Sequence, residues 1–329
     1  MGLYDAWREE QRRAPQQSES AFQSAITAAE KRWYGTKRAT VEFNLSFSQL
    51  GQYFSGHANA YTMLLLPAII LAIVAEVLVM QSQGRTYPWK SSLVSASISI
   101  GHLITQAMTN GLIIGIIAAA VYHWRLFNIS VSWQNWWLIV ALFLVADLAF
   151  YVEHRCSHRI RFMWASHSVH HSVDRMVFTA AFRLAWTPVL SGVFLFYLPV
   201  VWLGFPPEWV FGVSSASITY QIFVHTETIP RIGWLEWIIN TPSAHRVHHA
   251  SNAEYLDRNF GNVLLIWDRL FGTYQSERSD VRIAYGLTHP RKNNNPFVIA
   301  YEEFWDMFRD VLRSKRPEFL LRPPDWTPP

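Results

Sequence analysis

The chain has 329 residues, of which 50% are hydrophobic and 16% are charged, with a net charge of +4. The few basic residues are scattered, so nothing indicates a nucleic-acid-binding surface, and attraction to anionic lipid headgroups is the better use of the excess charge. Sixteen tryptophans and thirteen tyrosines are typical of membrane interfaces, and the single cysteine, Cys156, excludes an internal disulfide. Composition therefore predicts one membrane-embedded unit.

The first predicted membrane span follows a polar N-terminal arm at residues 1–56. The arm has an amphipathic pattern at residues 22–33 and no cleavable signal peptide in its first forty residues. Residues 61–80 are long and apolar enough to cross a bilayer, with Glu76 as the only charge. An intramembrane acid is a candidate functional residue, although Glu76 lies near enough to the end to reach the interface.

A second predicted span covers residues 93–122, which contain no charged side chain. Gly111 and Gly115 form a G-x-x-x-G pattern, which predicts close helix packing. The third predicted span, residues 137–153, delivers His154 to the membrane surface. Asp147 shares a helical face with His154, and we expect it either to orient an imidazole or to make a buried hydrogen bond between helices.

Two more predicted spans lie in residues 186–227, in a helical hairpin broken at Gly204, Pro206 and Pro207. The second arm of the hairpin ends at His225. Five spans in total predict an all-α, multi-pass transmembrane bundle at residues 57–290, with a histidine-rich helical cap and a C-terminal tail at residues 291–329. Arginines border the cap, so the positive-inside rule places it on the cytoplasmic side, of a bacterial inner membrane or the endoplasmic reticulum.

Histidines at regular spacing are the main chemical signal in the chain. One H-x-x-x-H and two H-x-x-H-H patterns border the apolar segments, and they contain His154, His158, His167, His170, His171, His245, His248 and His249. Neutral imidazole is a ligand for iron, zinc and copper, and eight imidazoles are too many for one tetrahedral ion but suit two metals. His225 is a ninth candidate ligand, or alternatively a histidine that faces lipid headgroups.

Metal-dependent oxidation is the chemistry that these residues favour. Two irons beside a membrane would activate O2 to attack an aliphatic lipid chain, whereas zinc at the same ligands would imply hydrolysis. No G-x-G-x-x-G pattern after a strand and no P-loop is present, which predicts an external electron donor. The competing hypothesis is a metal transporter or storage protein, which would require polar residues through the bilayer midplane. No pattern in the sequence indicates an oligomeric state.

The histidine patterns and several ungapped segments resemble the fatty acid hydroxylase and sterol desaturase superfamily, in particular its alkylglycerol monooxygenase-like bacterial members. The segments are WASHSVHHS, YQIFVHTE, NTPSAHRVHHA, YLDRNFG, WDRLFGTY and YGLTHP, between residues 164 and 290. The resemblance implies a membrane bundle with a di-iron site, which uses O2 to hydroxylate a membrane lipid. In the ether-cleaving branch it also implies release of a fatty aldehyde, with tetrahydrobiopterin as reductant. A ferredoxin and reductase chain is the other reductant considered.

Residues around the metals follow from the same resemblance. It implies second-layer or pocket roles for Asp147, Glu227, Asp257 and Asn259. Two positions depart from the family pattern: Ala244 replaces a histidine of the animal enzymes, and Arg159 replaces an acid. These departures leave hydroxylation or desaturation of a sterol, carotenoid or aminolipid as the alternative activity.

Overall fold

The computed structural model describes residues 47–289 and 293–324, with side chains from residue 65 onward except Asn110. Ile69–Pro329 forms one compact unit, which contains the candidate site, and Met1–Ala68 forms another. The described residues are helical, without a β-strand, as the sequence predicted. The α-helices of the described residues are α1 (Phe47–Ser82), α2 (Trp89–Thr105), α3 (Gly111–His123), α4 (Trp136–Arg159), α5 (Arg161–His171), α6 (Pro188–Ser191), α7 (Leu198–Leu203), α8 (Pro207–Val224), α9 (Pro242–His248), α10 (Ile266–Leu270) and α11 (Pro296–Ser314).

Two helical segments are long and apolar enough to cross a membrane. They are Leu65–Ser82 in α1 and Trp133–Arg159, which comprises a short 3-10 turn and α4. Helix α1 begins at Phe47, within the segment that we predicted to be a polar arm. The rest of that arm, including the amphipathic pattern at residues 22–33, lies outside the described residues. These helices make the chain a membrane protein.

The predicted second span is bent rather than straight. Helices α2 and α3 meet at 48° across the π-helical segment Gln106–Asn110, and together they count as a third candidate span. This segment is polar, and Thr109 donates to the carbonyl of Thr105. A wide turn of this kind interrupts the regular hydrogen-bond ladder and bends a helix. The predicted close packing at Gly115 is wrong, because a Cβ added there would meet nothing within 4 Å.

The first arm of the predicted hairpin is broken into short turns. Gly192 and Gly204 have φ angles of 73° and 123°, which interrupt the helix on either side of the apolar helical segment Val193–Leu203. At Gly204 a Cβ would lie 2.1 Å from the carbonyl oxygen of Phe127, so only glycine fits there. The five-span count is therefore not confirmed: the described residues supply two candidate spans, or three with the bent pair.

The cap that carries the candidate site packs between these helices and α11. A single residue, Ile160, separates α4 from α5, and its extended conformation ends one helix before the next begins. On the outer side of α5, the guanidinium of Arg161 pairs with Glu303 at 3.0 Å and with Asp310 at 2.9 Å on α11. A buried apolar cluster that includes Leu142, Ala146 and Val210 joins α4 to α8. These contacts hold α4, α5, α8 and α11 together around the candidate site.

Candidate metal centre

Histidines in the last turns of α4 and along α5 face each other across the short junction. His154 and His158 are four residues apart on α4, and His167 and His171 are four apart on α5, so each pair shares a helical face. The Nε2 atoms of His154 and His167 lie 2.9 Å apart. The Nε2 atoms of His167 and His171 lie 3.1 Å apart.

The remaining candidate ligands come from α9 and from the end of α8. Helix α9 starts at Pro242 after Thr241, whose side chain accepts from the Ala244 amide as an N-cap. His225 follows the last residue of α8, and its Nε2 lies 3.1 Å from Nε2 of His170 and 3.0 Å from Nε2 of His245. The structure therefore brings all nine predicted histidines together.

The nine imidazoles divide into two groups whose ligand nitrogens lie within 4.8 Å of one another. The five-histidine cluster contains His154, His158, His167, His171 and His248. The four-histidine cluster contains His170, His225, His245 and His249. The clusters are neighbours, since the rings of His171 and His249 stack with centroids 4.4 Å apart.

The H-x-x-H-H spacing explains this division. Residues four apart on a helix lie on one face, while the residue just before the last lies about 100° away. On α5, His167 and His171 therefore enter the five-histidine cluster while His170 enters the other. At α9 the roles are reversed, since His245 and His249 join the four-histidine cluster while His248 joins the first. Each consecutive histidine pair bridges the two clusters.

Backbone carbonyls fix the tautomers of three of these imidazoles. Nδ1 of His154 lies 2.8 Å from the carbonyl oxygen of Phe260, and Nδ1 of His248 lies 2.9 Å from that of Arg258. Nδ1 of His225 lies 2.5 Å from the carbonyl oxygen of Gln221. A carbonyl only accepts, so each Nδ1 carries the proton and each Nε2 presents a lone pair to its cluster.

The donor set fits two metal ions. Both ring nitrogens of His249 are buried without a hydrogen-bond partner, as are Nε2 of His158, Nε2 of His248 and Nδ1 of His245. Buried polar atoms without partners are costly, and a cation at each of the two convergence points would satisfy one nitrogen of each ring in its cluster. Nitrogen ligands of this kind suit iron, zinc or copper.

Burial keeps the cap histidines neutral. It lowers the pKa of His167, His170, His171, His245, His248 and His249 well below the usual value, and neighbouring histidines lower it further. Metals bind the neutral imidazole, so the clusters are ready for metal binding at neutral pH without losing protons.

Among the other predicted site residues, Asp257 contacts a clustered histidine directly. Its carboxylate lies 3.6 Å from Nδ1 of His158 and 2.8 Å from the guanidinium of Arg159. Arg159, which departs from the family pattern, is thus the partner of an acid close to the site. Asn259 has a left-handed φ of 54°, and its side chain donates to the carbonyls of Ala244 and Gln275. It supports the backbone beside His245.

Asp147 and Glu227 contact groups other than imidazoles. Asp147 accepts from the amides of Val263 and Leu264 and from the indole of Trp267, so it fixes the loop after Phe260. This contact agrees with the buried hydrogen bond that we considered as its alternative role.

Glu227 accepts from the guanidinium groups of Arg85 and Arg175 and from the Met176 amide. It ties the segment after His225 to two other loops. Nearby, Glu76 accepts from the Thr226 hydroxyl and the Phe178 amide, so it is buried against this loop layer instead of reaching for solvent.

Sequence reasoning missed two residues that support the clusters. Asp268 is fully buried and accepts from the amides of Phe260 and Gly261 and from the hydroxyl of Thr273. It thereby holds the carbonyl that orients His154. Gln221 donates to Asn262 while its own carbonyl accepts from His225. The segments WDRLFGTY and YQIFVHTE contain them, but spacing alone does not separate such residues from surface polar ones.

Comparison with known proteins agrees with this geometry. Residues 139–273, which contain all nine histidines, match the family model "Fatty acid hydroxylase". The chain is similar to alkylglycerol monooxygenase of Xenopus tropicalis, with 35% identity over 218 residues that cover 64% of this chain and 48% of the relative. Its counterpart in Danio rerio is 37% identical over the same shares of the two chains. Ornithine lipid hydroxylase OlsE of Rhizobium tropici is 28% identical over 157 residues, 48% of this chain and 47% of the relative.

The chain spans about half the length of the curated relatives it matches. No solved structure matches it. The family match covers the three helices that carry the histidine patterns and the loops that orient the rings. The chain therefore contains a domain, residues 139–273, that matches the fatty acid hydroxylase family.

Proposed function

We propose that the chain is an integral membrane di-iron monooxygenase that uses O2 to hydroxylate a C–H bond of a lipid. The observation that carries the proposal is the convergence of nine histidines into two adjacent clusters within a fatty acid hydroxylase domain. The five-histidine cluster would hold one iron and the four-histidine cluster the other. Two bound irons would supply the activation of O2 that attack on an unactivated C–H bond requires.

The protein's own contribution is to hold and orient imidazoles. The carbonyls of Phe260, Arg258 and Gln221 keep the Nδ1 protons of three ligands, which directs three lone pairs inward. Asp268 and Asp147 fix the loop that carries Phe260, and Asp257 stands beside His158. Burial of the rings excludes bulk water from the cap, which protects a strong oxidant from side reactions.

The reaction balances only with an external donor. A lipid C–H bond, O2, two electrons and two protons give an alcohol and water. A reduced pterin such as tetrahydrobiopterin, or a ferredoxin and reductase chain, would supply the electrons. Product formation in membranes with each donor in turn identifies the one that the protein uses.

A shallow apolar groove between α4 and α8 supports a lipid substrate. Its volume is about 450 Å³, within the range of roughly 300 to 1,000 Å³ of small-ligand sites, and its lining includes Ile139, Phe143, Val213, Ala216, Tyr220 and Val263. Both helices run toward the histidines, because α4 ends with His154 and His158 and α8 ends beside His225. From Phe143 to His154 the helix rises about 16 Å, and one bilayer leaflet is about 15 Å thick. A lipid chain in the groove would extend toward the site.

The groove is tested by filling it. We expect Ala216→Phe to lower kcat/KM about tenfold for a hexadecyl lipid and much less for an octyl lipid, because the longer chain needs the blocked space. Ser215→Phe adds the same bulk at a neighbouring exposed position on α8 and is the matched control. If the ratio of kcat/KM for the hexadecyl and octyl lipids were the same in the two variants, the groove would not be the site of the lipid chain.

Ether cleavage is the specific activity that the alkylglycerol monooxygenase relatives favour. Oxygen inserted at the carbon beside an ether oxygen gives a hemiacetal, which collapses to a fatty aldehyde and a glycerol product. Incubation with hexadecyl glycerol under labelled O2, followed by mass spectrometry, tests it. A labelled aldehyde supports ether cleavage.

Hydroxylation of an aminolipid is the second candidate, because one relative is named an ornithine lipid hydroxylase. In that case a stable alcohol would form on the lipid and no aldehyde would be released. The same mass spectra separate the two activities. An alkene would instead indicate desaturation of a sterol or carotenoid. Absence of any oxygenated product from a lipid extract, with iron bound and a reductant present, would overturn the monooxygenase.

We also propose that the clusters face the cytoplasm in a multi-pass arrangement. Arg155 and Arg159 lie in the last turns of α4 and Arg161 begins α5, and charges this close to a span end favour the cytoplasmic side. A cysteine in place of the exposed Glu254 reports the side through a membrane-impermeant maleimide. Labelling in inverted but not in right-side-out vesicles is expected, and the reverse pattern would contradict the orientation.

A further inference from the structure

The C-terminal helix α11 exposes a continuous apolar stripe. Phe297, Tyr301, Trp305, Phe308 and Leu312 are between 42% and 78% exposed. They are spaced four, four, three and four residues apart, so at about 100° per residue they fall within about 80° of one helical face. An ordered row of large apolar side chains marks an interaction surface, unlike scattered exposed residues.

A second face of the same helix is already occupied by the protein. Ile299 packs in a buried cluster with Ile98 of α2 and Val169 of α5, while Phe304 and Met307 pack with Ala165 of α5. The ion pairs of Arg161 with Glu303 and Asp310 flank these contacts. The stripe is therefore a second apolar face of α11, separate from the face that packs on α2 and α5.

The third face is polar and lies on the opposite side of the stripe from the buried residues. It carries Glu302, Asp306, Arg309 and Arg313, and Asp306 pairs with Arg309. The exposed Lys315 and Arg316 follow at the carboxyl end of the helix. A helix with one protein-facing, one apolar and one charged face suits the boundary between a bilayer and water.

The residues Phe297 and Tyr301 of the stripe meet α2, the first half of the bent candidate span, through Trp186. The ring of Trp186 packs edge-on against Phe297 at 5.1 Å and Tyr301 at 5.9 Å between centroids. The indole of Trp186 donates to the carbonyl of Ile98 within α2, the first half of the bent span. On the same helix Leu93, Ile100, Leu103 and Ile104 are also exposed. Trp186 is buried and joins α11 to α2, and these exposed apolar residues lie about 120° to 160° around α2 from Ile98.

We propose that α11 is an interfacial anchor: its stripe inserts into the lipid beside α2, and its basic end meets anionic headgroups. Aromatic rings such as Tyr301 and Trp305 are favoured at this depth, and Arg313, Lys315 and Arg316 would attract anionic lipids. Because the inner face of α11 packs on α5, which carries His167, His170 and His171, the anchor fixes the metal-binding cap against the membrane. This role does not depend on which metal or reaction the site supports.

Paired labels on neighbouring residues test the anchor in the full-length protein. Cys156→Ser removes the natural thiol, and Leu312→Cys or Arg313→Cys then carries an environment-sensitive fluorophore in vesicles of neutral and anionic phospholipid. Leu312 belongs to the stripe, whereas Arg313 is exposed on the polar face about 100° away. We expect the Leu312 label to emit at shorter wavelength, to resist aqueous iodide, and to be quenched severalfold more by nitroxide-bearing lipids than the Arg313 label.

Two results would overturn the proposal. Equal iodide access at both positions would mean that the stripe faces water. Protection of the Leu312 label from both iodide and lipid nitroxides would mean that protein, such as a second copy of the chain, covers the stripe. Unchanged metal content in both labelled variants shows that the cap is intact, so these outcomes report on the anchor and not on misfolding.

Discussion

The two histidine clusters differ in how the chain supports them. In the five-histidine cluster, His154 and His248 are oriented by carbonyls of the loop at residues 258–260, and His158 has Asp257 beside it. In the four-histidine cluster, His225 is oriented by the carbonyl of Gln221, one turn back on α8. A loop fixed by buried carboxylates supports the first cluster, and the end of α8 supports the second.

The two clusters differ in the number of histidines that they offer to a metal. If every histidine of a cluster bound one six-coordinate metal, the five-histidine cluster would leave one position open and the four-histidine cluster would leave two. The four-histidine cluster also lies near the apolar groove, since Tyr220 in the groove lining is five residues before His225. We therefore expect substrate to approach the four-histidine side and the five-histidine cluster to bind its metal more rigidly.

Removal of a histidine from α5, a helix that supplies both clusters, is expected to have the largest effect on metal binding and activity. His170→Ala leaves three imidazoles in the four-histidine cluster, and we expect it to abolish activity and metal loading at that cluster. His289→Ala, an exposed histidine outside both clusters, is the control. Metal analysis together with product assays checks the prediction, and a fully active His170→Ala variant would contradict the ligand assignment.

Acid is expected to destabilise the metal-free protein. Burial lowers the pKa of the six cap histidines below the unfolded value of 6.5, so the unfolded chain takes up protons first as the pH falls. Stability is therefore present above about pH 6.5 and is lost below it, by up to about 1.4 kcal/mol per pH unit for each histidine. Thermal unfolding of metal-free protein between pH 7.5 and 5 measures this loss. A Tm that does not change with pH would contradict neutral, buried histidines.

Substitution of the buried carboxylate Asp268 is expected to affect one cluster more than the other. Asp268→Asn cannot accept from the Phe260 amide, the Gly261 amide and the Thr273 hydroxyl in the same way, so the carbonyl that orients His154 shifts. We expect a loss of about 10- to 100-fold in metal affinity at the five-histidine cluster and little change at the other. Asp280→Asn, at an exposed acid, is the control. Equal losses at both clusters would show that the loop does not act selectively.

The smallest effect is expected at Asp257, which is partly exposed. Asp257→Asn keeps a side chain of the same shape beside His158 but removes the charge, so we expect a few-fold loss in metal affinity at the five-histidine cluster. Asp257→Ala removes both the charge and the side chain, so we expect a larger loss in metal affinity. Titration of metal into both variants measures the difference. A wild-type affinity in Asp257→Ala would show that the carboxylate does not support the imidazole.

The histidines could be predicted from the sequence because their spacing is local. Pairs four apart on α4 and α5 share a face whatever the rest of the fold does, and the H-x-x-H-H patterns place His170, His245, His248 and His249 by the same rule. His225 belongs to no such pattern and was a candidate only because it ends an apolar segment. Most supporting contacts are not local. Asp147 accepts from Trp267 across 120 residues, and Arg161 pairs with Glu303 across 142. No periodicity in the sequence specifies such partners.

The spans were predictable only where an apolar run is also a continuous helix. The run that became α4 gave a correct prediction, because nothing interrupts it before His154. The run at residues 93–122 is equally uncharged, but its polar centre forms a π-helical segment and bends it. At residues 186–203, a positive φ angle at Gly192 interrupts the apolar stretch, in addition to the break at Gly204 that the sequence predicted. Hydropathy reports composition, whereas these breaks depend on backbone conformation.

Anaerobic titration of ferrous iron into metal-free, detergent-purified protein tests the central claim most directly. Wild-type protein should bind about two irons per chain, and His170→Ala should retain one, at the five-histidine cluster. Binding of a single iron by the wild type would contradict two separately supported metal sites. The same conclusion would follow if every variant of either cluster lost both irons and the two irons of the wild type bound with one common affinity.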